Sequence, residues 1–530
     1  MDKYTRAAVI YAAIVTIGGF IFGIDAAVIS GTIKYITVEF ALDEFQIGNV
    51  VAAPGLGVLF ALIATGAICE AIGRKKTLII IAFLYIISAV ASAFAPTYET
   101  LVLARFLGGL AFTSLSLSSM YIGEIAPSEQ RGKLVSTNQI MIVVGLTAAY
   151  FSNYFLVQAV DAQASWVKAW NLEENLWRWM LGMEIVPAVI WGILLFFIPQ
   201  SPRWLMSKGR EVQARQTLAK LMPVDKIDAE IEAIKESIEK DRPAEGDGII
   251  PQVKSLTNPK FRAAIFVGLL FAAIQPLTGV NPILFYAPMV FEQTGIGSNA
   301  AYAQSLIIGV VSFLFTAAAI ALVDKLGRRP LVNGGLIASV VCLMMCVFAF
   351  KQATYQLDKT DVMALVATSS ELTPLNSIVD QQFGSDTDFK DAVKSAIGDE
   401  VFRANESPII QAAVSINATL VLIGIVGFIA AFHISIGPIM WVIFSEIVPT
   451  QIRGVAIPMF AFTCSIVSYF MQKFFPWQLK TMGAGDIFLS YALAGLIGLY
   501  FLYRYLPETK NKTIEEVEEL FAAKQTSNTK

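Results

Sequence analysis

The chain has 530 residues, of which 55% are apolar and 15% charged, and a formal net charge of -3. A soluble domain carries about 25% charged residues, so this deficit, with a mean hydropathy of +0.62, argues against a water-soluble enzyme and for a membrane protein. No basic tract runs along the chain, which argues against a nucleic-acid partner.

A helix needs about 20 apolar residues to cross a bilayer. Twelve runs supply them: 7–32, 47–70, 77–95, 99–122, 134–157, 178–198, 262–290, 301–323, 330–350, 412–444, 452–473 and 486–505. The expected fold is therefore all-α, with twelve transmembrane helices in two six-helix halves and the lipid bilayer as partner. The first run is too long for the apolar core of a signal peptide and lacks a small-residue cleavage site, so it is expected to remain as a span. It contains "GGFIFGIDAAVISG", where Asp25 is the only charge between Arg6 and Lys34. An ionisable group inside a span is costly and usually functional, beside an identifiable partner.

Two polar stretches interrupt the runs. Residues 201–260 mix both charge signs and read as short amphipathic helices. Residues 352–410 carry ten Asp/Glu against four Lys/Arg. A polar tail, 507–530, is expected to be helical from Thr513 to Lys524. The cysteines Cys69, Cys342, Cys346 and Cys464 all fall in apolar runs, a spacing that gives neither a zinc site nor a disulfide framework.

Orientation follows from Lys and Arg in the short connectors. With the N-terminus inside, nine lie on the cytoplasmic side (Arg74, Lys75, Lys76, Arg131, Lys133, Lys325, Arg328, Arg329, Arg453) and five outside (Lys34, Lys168, Arg178, Lys473, Lys480). Both termini and 201–260 are then expected in the cytoplasm, and 352–410 outside. At about 1.5 Å per residue, Asp25 lies about 12 Å below the outer end of span 1, and Arg105 about 9 Å below that of span 4. The two side chains are expected at similar depth in the same half.

The halves repeat their punctuation. "GAICEAIGRKKTL" after span 2 matches "AIALVDKLGRRPL" after span 8; "GEIAPSEQRG" after span 4 matches "SEIVPTQIRG" after span 10; "IPQSPRWL" after span 6 resembles "LPETKNKT" after span 12. Gly73 to Gly327 is 254 residues and Glu124 to Glu446 is 322, so the second half holds 68 more. Most of these are 352–410, which reads as an insertion into an outer connector. The expected organisation is an N-terminal half (1–200), a cytoplasmic linker (201–260), a C-terminal half (261–506, with the insertion) and a tail (507–530). Two such halves in parallel orientation are a transporter architecture, with substrate bound at mid-membrane between them.

At these residues the chain resembles the sugar porter family of the major facilitator superfamily. The motifs carrying the resemblance are "FGIDAAVISG", "GRKK", "ARFLGG", "EIAPSEQRGKLVSTNQ", "PQSPRWL", "QPLTGVNPILFYAP", "VDKLGRRPL", "GPIMWVIFSEIVPTQIRG" and "PETKNKT". They cover nearly the whole chain outside 352–410. The likeness is nearer to proton-coupled bacterial members than to facilitative glucose carriers. It implies monosaccharide or polyol transport by alternating access in the plasma membrane, with no bound cofactor or metal.

The resemblance gives Asp25 and Arg105 a proton-coupling role. Burial raises a carboxylate's pKa and a nearby guanidinium lowers it. A contact that forms in one state and breaks in another would load and release a proton. A permanent ion pair fixing span 1 to span 4 is the alternative, and sodium coupling also stays open. For the sugar, the family's cavity positions map to Gln139, Gln275, Asn281 and Trp441, with Phe285 and Tyr286 at the outer mouth. His433, the only histidine, stands eight residues before Trp441 and is a further candidate.

Several positions depart from the family: Phe285 for Tyr, Pro276 for a second Gln, Leu146 for Gln, Ser312 for Asn, and Cys464 and Ser465 for a polar–Trp pair. These leave the sugar's identity open. The resemblance also implies a cytoplasmic ion-pair gate from Arg74, Glu124, Arg131, Asp324, Arg328, Glu446 and Arg453, with Ala71 in place of the basic residue expected beside Glu70. A facilitative carrier and a transporter-like sugar sensor are the competing readings, and the short tail disfavours the sensor. No nucleotide loop, metal cluster or nucleophile–base pair suggests an enzyme.

Overall fold

The computed structural model describes residues 3–127, 130–240, 256, 258–449, 451–512, 516–517 and 519–521. Among them are eleven helices long and apolar enough to cross a membrane. They are α1 (Lys3–Glu39), α2 (Glu44–Ile72), α3 (Arg74–Ala93), α4 (Tyr98–Ile125), α5 (Gly132–Asp161), α6 (Leu176–Leu194), α7 (Pro259–Phe285), α8 (Ser298–Leu326), α9 (Arg328–Lys351), α10 (Ala418–Ile447) and the stretch Arg453–Tyr505. The last is two helices joined at Gly483, whose φ of 76° and ψ of 161° are not helical. This yields α11 (453–482) and α12 (484–505), twelve spans among the described residues.

The breaks have local causes. α10 is interrupted at Ser435 (φ −132°, ψ −92°). Pro438 follows there; it has no N–H for the Ile434 carbonyl and its ring crowds that carbonyl, so the helix restarts at Ile436. Within α7, Gly279 takes φ 84°, a conformation that costs glycine little. α11 runs past Lys473 and Pro476, where the apolar run of the sequence ends, because the carbonyl that Pro476 frees is satisfied elsewhere. Tyr286 donates its hydroxyl to Gln472 O at 2.9 Å. The same device recurs at Pro288, whose i−4 carbonyl, Leu284 O, accepts from Tyr150 at 2.6 Å. A buried carbonyl left unpaired would cost about 1–3 kcal/mol.

The sequence repeat reappears as paired helix starts. α3 and α9 each follow a glycine with φ above 90°, Gly73 and Gly327. The first backbone N–H groups of each helix are capped from a remote residue. Gln200 Oε1 accepts from Lys75 N at 2.9 Å; Glu508 accepts from Arg328 N and Arg329 N at 3.0 and 3.1 Å. Gln200 and Glu508 occupy matching positions in "IPQSPRWL" and "LPETKNKT".

Within the N-terminal half α1 packs along α5, and the halves meet where α2 packs on α11 and α5 on α8. One rim, here the arginine face, carries Arg74, Arg328 and Arg453. Beneath it, helices Pro202–Ser207, Glu211–Leu221 and Ile227–Lys240 share a small core of Trp204, Leu205, Leu218 and Ile231. Trp204 Nε1 donates to Glu70 O at 2.8 Å, tying this layer to α2. Residues 241–255 of the linker lie outside the described residues, as does most of the tail beyond Lys512.

The opposite rim, here the insertion face, carries a small folded unit. Strands β1 (Thr354–Tyr355) and β2 (Val414–Ser415) pair antiparallel, Thr354 with Ser415 and Tyr355 with Val414. Between them lie helices Lys359–Thr368, Asp386–Ile397 and Asp399–Ala413 and a 3-10 stretch, Ser370–Ile378. Leu357, Val362, Leu372, Leu375, Phe389, Val393, Phe402 and Ile409 are at most 2% exposed and form its core. The polar composition of this segment hides these apolar positions from a hydropathy reading.

Candidate functional site

The glycines around Asp25 let α1 approach its neighbours at backbone distance. A Cβ on Gly23 would fall 2.0 Å from Ile142 O of α5, and one on Gly145 of α5 would fall 2.0 Å from Phe20 O. This reciprocal contact buries the polar face of α1. Asp25 is 0% exposed and Arg105, from α4, is 2% exposed. Arg105 Nη1 bonds Asp25 Oδ1, and its Nη2 donates to the Asp25 backbone carbonyl at 3.2 Å. Asp25 Oδ2 and Arg105 Nε have no hydrogen-bond partner among the described residues.

A third ionisable group completes the cluster. Glu184 of α6 is 2% exposed, and its carboxylate interacts with both Asp25 and Arg105. The sequence reading passed over it, although Glu184 is the only charge between Arg178 and Arg203, the same signal that marks Asp25. Two buried carboxylates thus lie within electrostatic reach of one guanidinium, and Glu184 Oε1 has no hydrogen-bond partner among the described residues.

The candidate sugar residues divide into groups. Gln275 and Asn281 of α7 both meet α11: Cys464 Sγ donates to Gln275 Oε1 at 3.4 Å, and Asn281 Nδ2 donates to Ser468 Oγ at 2.7 Å. Cys464 and Ser468 are one helical turn apart, so they present to the same neighbour. Gln139 is half-buried on α5. Trp441 of α10 is 47% exposed and rests edge-on against Phe444, centroids 5.6 Å apart. Phe285 is half-buried, whereas Tyr286 is fully buried and uses its hydroxyl on Gln472 O.

His433 of α10 is buried, and its Nδ1 pairs with Thr316 Oγ1 of α8 at 3.1 Å; its Nε2 has no hydrogen-bond partner among the described residues. Of the departures, Leu146 is buried and Ser312 bonds back to Ile308 O of its own helix at 2.7 Å.

On the arginine face, Arg74 grips Glu124 with three hydrogen bonds of 2.7 to 3.1 Å. In the second half Arg328 lies 2.9 Å from Glu446 and 3.0 Å from Asp324. Glu446 also accepts from Thr509 at 2.5 Å. Arg453 donates to the carbonyls of Ser445 and Val448 at 3.0 and 3.1 Å. These contacts run within a half. The side chain of Arg131 lies outside the described residues.

At the insertion face, by contrast, hydrogen bonds join the halves. Tyr302 of α8 donates to Gly31 O of α1 at 2.6 Å. Tyr150 of α5 reaches Leu284 O of α7 at 2.6 Å, and Lys34 donates to Ser298 at 2.7 Å.

Comparison with known proteins supplies the identity. The profile of the family described as sugar (and other) transporter matches residues 11–370 and 403–521. The chain belongs to the sugar transporter family. The transporter is 30% identical to the arabinose-proton symporter of Bacillus subtilis, over 95% of this chain and 93% of that one. It is 30% identical to the D-xylose-proton symporter of Escherichia coli, over 96% and 94% respectively. The solved partially occluded, inward-open form of the xylose transporter from E. coli matches with a TM-score of 0.71 at 27% identity, covering 97% of this chain and all of that one. The transporter therefore has the major facilitator fold, is a multi-pass membrane protein and is not an enzyme. The family profile skips 371–402, which lies inside the folded unit on the insertion face.

Proposed function

We propose that the transporter imports a monosaccharide or polyol by proton symport, with Asp25 as the coupling carboxylate. The observation that carries this reading is the buried cluster of Asp25, Arg105 and Glu184. Two ionised carboxylates around one guanidinium leave a negative charge uncompensated, which a bound proton neutralises. Asp25 Oδ2, without a hydrogen-bond partner among the described residues, is open to receive it. When α1 shifts against α4, the Arg105 bond loosens and Asp25 takes the proton; when the bond reforms, the proton leaves.

Sugar binds between the halves. Gln139, Gln275 and Asn281 offer amide groups that donate and accept to ring hydroxyls, and Trp441 supplies an aromatic face. Cys464 and Ser468 hold two of these amides in place, so they shape the site. His433 contributes through its contact with Thr316. Arg74–Glu124 and Arg328–Glu446 stay paired within each half while the arginine face is open. They re-pair across the seam when it closes, together with Arg131, Asp324 and Arg453. Ion pairs at a wet rim are individually weak, about 0–1 kcal/mol, so such a network can exchange partners each cycle.

In this reading the transporter sits in the plasma membrane, the arginine face is cytoplasmic with both termini, and 352–410 lies outside. The similarity to symporters for arabinose and xylose supports a pentose or hexose. The test is uptake of labelled xylose, glucose, galactose, arabinose and myo-inositol into proteoliposomes, with no gradient, a proton gradient or a sodium gradient. Accumulation of at least one sugar that requires the proton gradient is expected. Equilibration indifferent to both gradients would make the transporter a facilitator.

A further inference from the structure

The unit between β1 and β2 has closed ends and its own core, so it is a compact body of its own. It is fixed to the C-terminal half. Lys390, only 3% exposed, donates to Gln293 at 2.8 Å. Val414 covers Gly295, and Asp386 lies against Gly483 at the α11–α12 break, where a Cβ would fall 2.3 Å from Asp386 Oδ1. On its other side the unit reaches the N-terminal half. Arg403 Nη1 approaches Leu42 O at 3.4 Å, in the turn between α1 and α2.

Around this contact, four charges form a closed ring of alternating sign. Glu44 of α2 lies 2.6 Å from Lys480 of α11. Lys480 is 3.8 Å from Asp399, Asp399 is 2.6 Å from Arg403, and Arg403 is 3.8 Å from Glu44. Only Glu44 belongs to the N-terminal half. The geometry points to a latch: Arg403 of the unit at 354–415, together with Lys480 of α11, holds Glu44 when the halves meet at the insertion face, and so biases the transporter toward the state closed there.

The ring explains why the latch biases the equilibrium without locking it. When the halves part, Glu44 leaves into water, while Arg403, Asp399 and Lys480 stay paired with one another. No charge is stranded, so release costs little. The family profile does not cover 371–402, so the common two-half machinery operates without the middle of this body, which carries Asp399. The latch rests on the alternating access of the proposed function, but its test reads conformation and not transport.

The experiment places spin labels on the full chain at Val38→Cys and Met482→Cys, with the native cysteines replaced by serine. Val38, at the insertion-face end of α1, is 62% exposed, and Met482, at the end of α11, is 40% exposed. Their separation is read by double electron–electron resonance. Glu44→Gln, and Arg403→Gln with Lys480→Gln, should each raise the longer-distance population roughly two- to tenfold, the range for losing two partly exposed ion pairs. High salt should do the same to the parent by screening the ring.

Excising 358–410 between the paired strands removes Arg403 and Asp399 but leaves Glu44 and Lys480 paired, so it should shift the population in the same direction but less far. If that variant does not fold, the point variants decide. Unchanged distance distributions in both point variants would overturn the latch. A shifted distribution in a protein that transports no sugar would uphold the latch and count against the proposed function alone.

Discussion

Replacing Gly23 by alanine tests the packing that places Asp25. The new Cβ would stand 2.0 Å from the Ile142 carbonyl and 2.7 Å from Leu146 N, where ordinary contact begins near 3.4 Å. Both atoms are backbone, so no side chain can swing aside, and α1 must move from α5 by about 1.4 Å, the difference between 2.0 and 3.4 Å. Overpacking of this kind costs about 1–3 kcal/mol, and a backbone clash belongs at the upper end. Alanine regains about 1 kcal/mol of helix propensity, which leaves a net loss of about 2 kcal/mol. Gly145→Ala meets Phe20 O across the same crossing and should behave alike. Once either change has parted the helices, the second costs less, so the double variant should lose less than the sum. Gly66→Ala, also within a span but with nothing within 4 Å, is the control and should be neutral or stabilising. The assay is thermal unfolding of purified protein in detergent, followed by intrinsic fluorescence. Gly23→Ala as stable as Gly66→Ala would refute the close crossing, and with it the placement of Asp25 two residues along.

Tyr150→Phe removes the donor that satisfies the Leu284 carbonyl freed by Pro288; it should cost about 1–3 kcal/mol in the same unfolding assay, and more than a change at exposed Phe151. Asn281→Ala should weaken equilibrium binding of the transported sugar roughly tenfold, the loss of one hydrogen-bonding partner of about 1–3 kcal/mol; calorimetry that finds unaltered affinity would remove Asn281 from the site. Glu184→Gln keeps the shape of the cluster but deletes one of its two carboxylates, so gradient-driven accumulation should fall severalfold while sugar exchange persists; accumulation equal to the parent would assign Glu184 to packing alone.

The repeat was legible because loops carry it. Gly73 and Gly327 need positive φ, and Arg74 and Arg328 pair with Glu124 and Glu446 at matching places, so the same residue types recur at the same spacing. Asp25 and Arg105 were legible as charges where composition has almost none, and a rise per residue puts them at one depth. Glu184 carries the same signal, but it sits in a run flanked by Arg178 and tryptophans that reads as a span edge. The roles of Gln200 and Glu508 as remote helix caps, and of Tyr150 and Tyr286 as donors to proline-freed carbonyls, depend on contacts more than 120 residues apart, which no local pattern encodes. The small body at 354–415 escaped because its core residues, such as Leu375 and Phe389, are spread among acidic positions on short helices. Ser468, the partner of Asn281, stands among the apolar and aromatic residues of α11 with nothing to distinguish it from a helix-packing serine.

The coupling role of Asp25 is tested most directly by Asp25→Asn in proteoliposomes with an imposed inward proton gradient, read against the parent for a sugar the parent accumulates. Asparagine keeps the size and can still accept from Arg105, but it cannot exchange a proton. The account predicts that accumulation above equilibrium disappears while sugar exchange without a gradient survives. Accumulation by Asp25→Asn equal to that of the parent would contradict it and make the Asp25–Arg105 pair a fixed tie between α1 and α4.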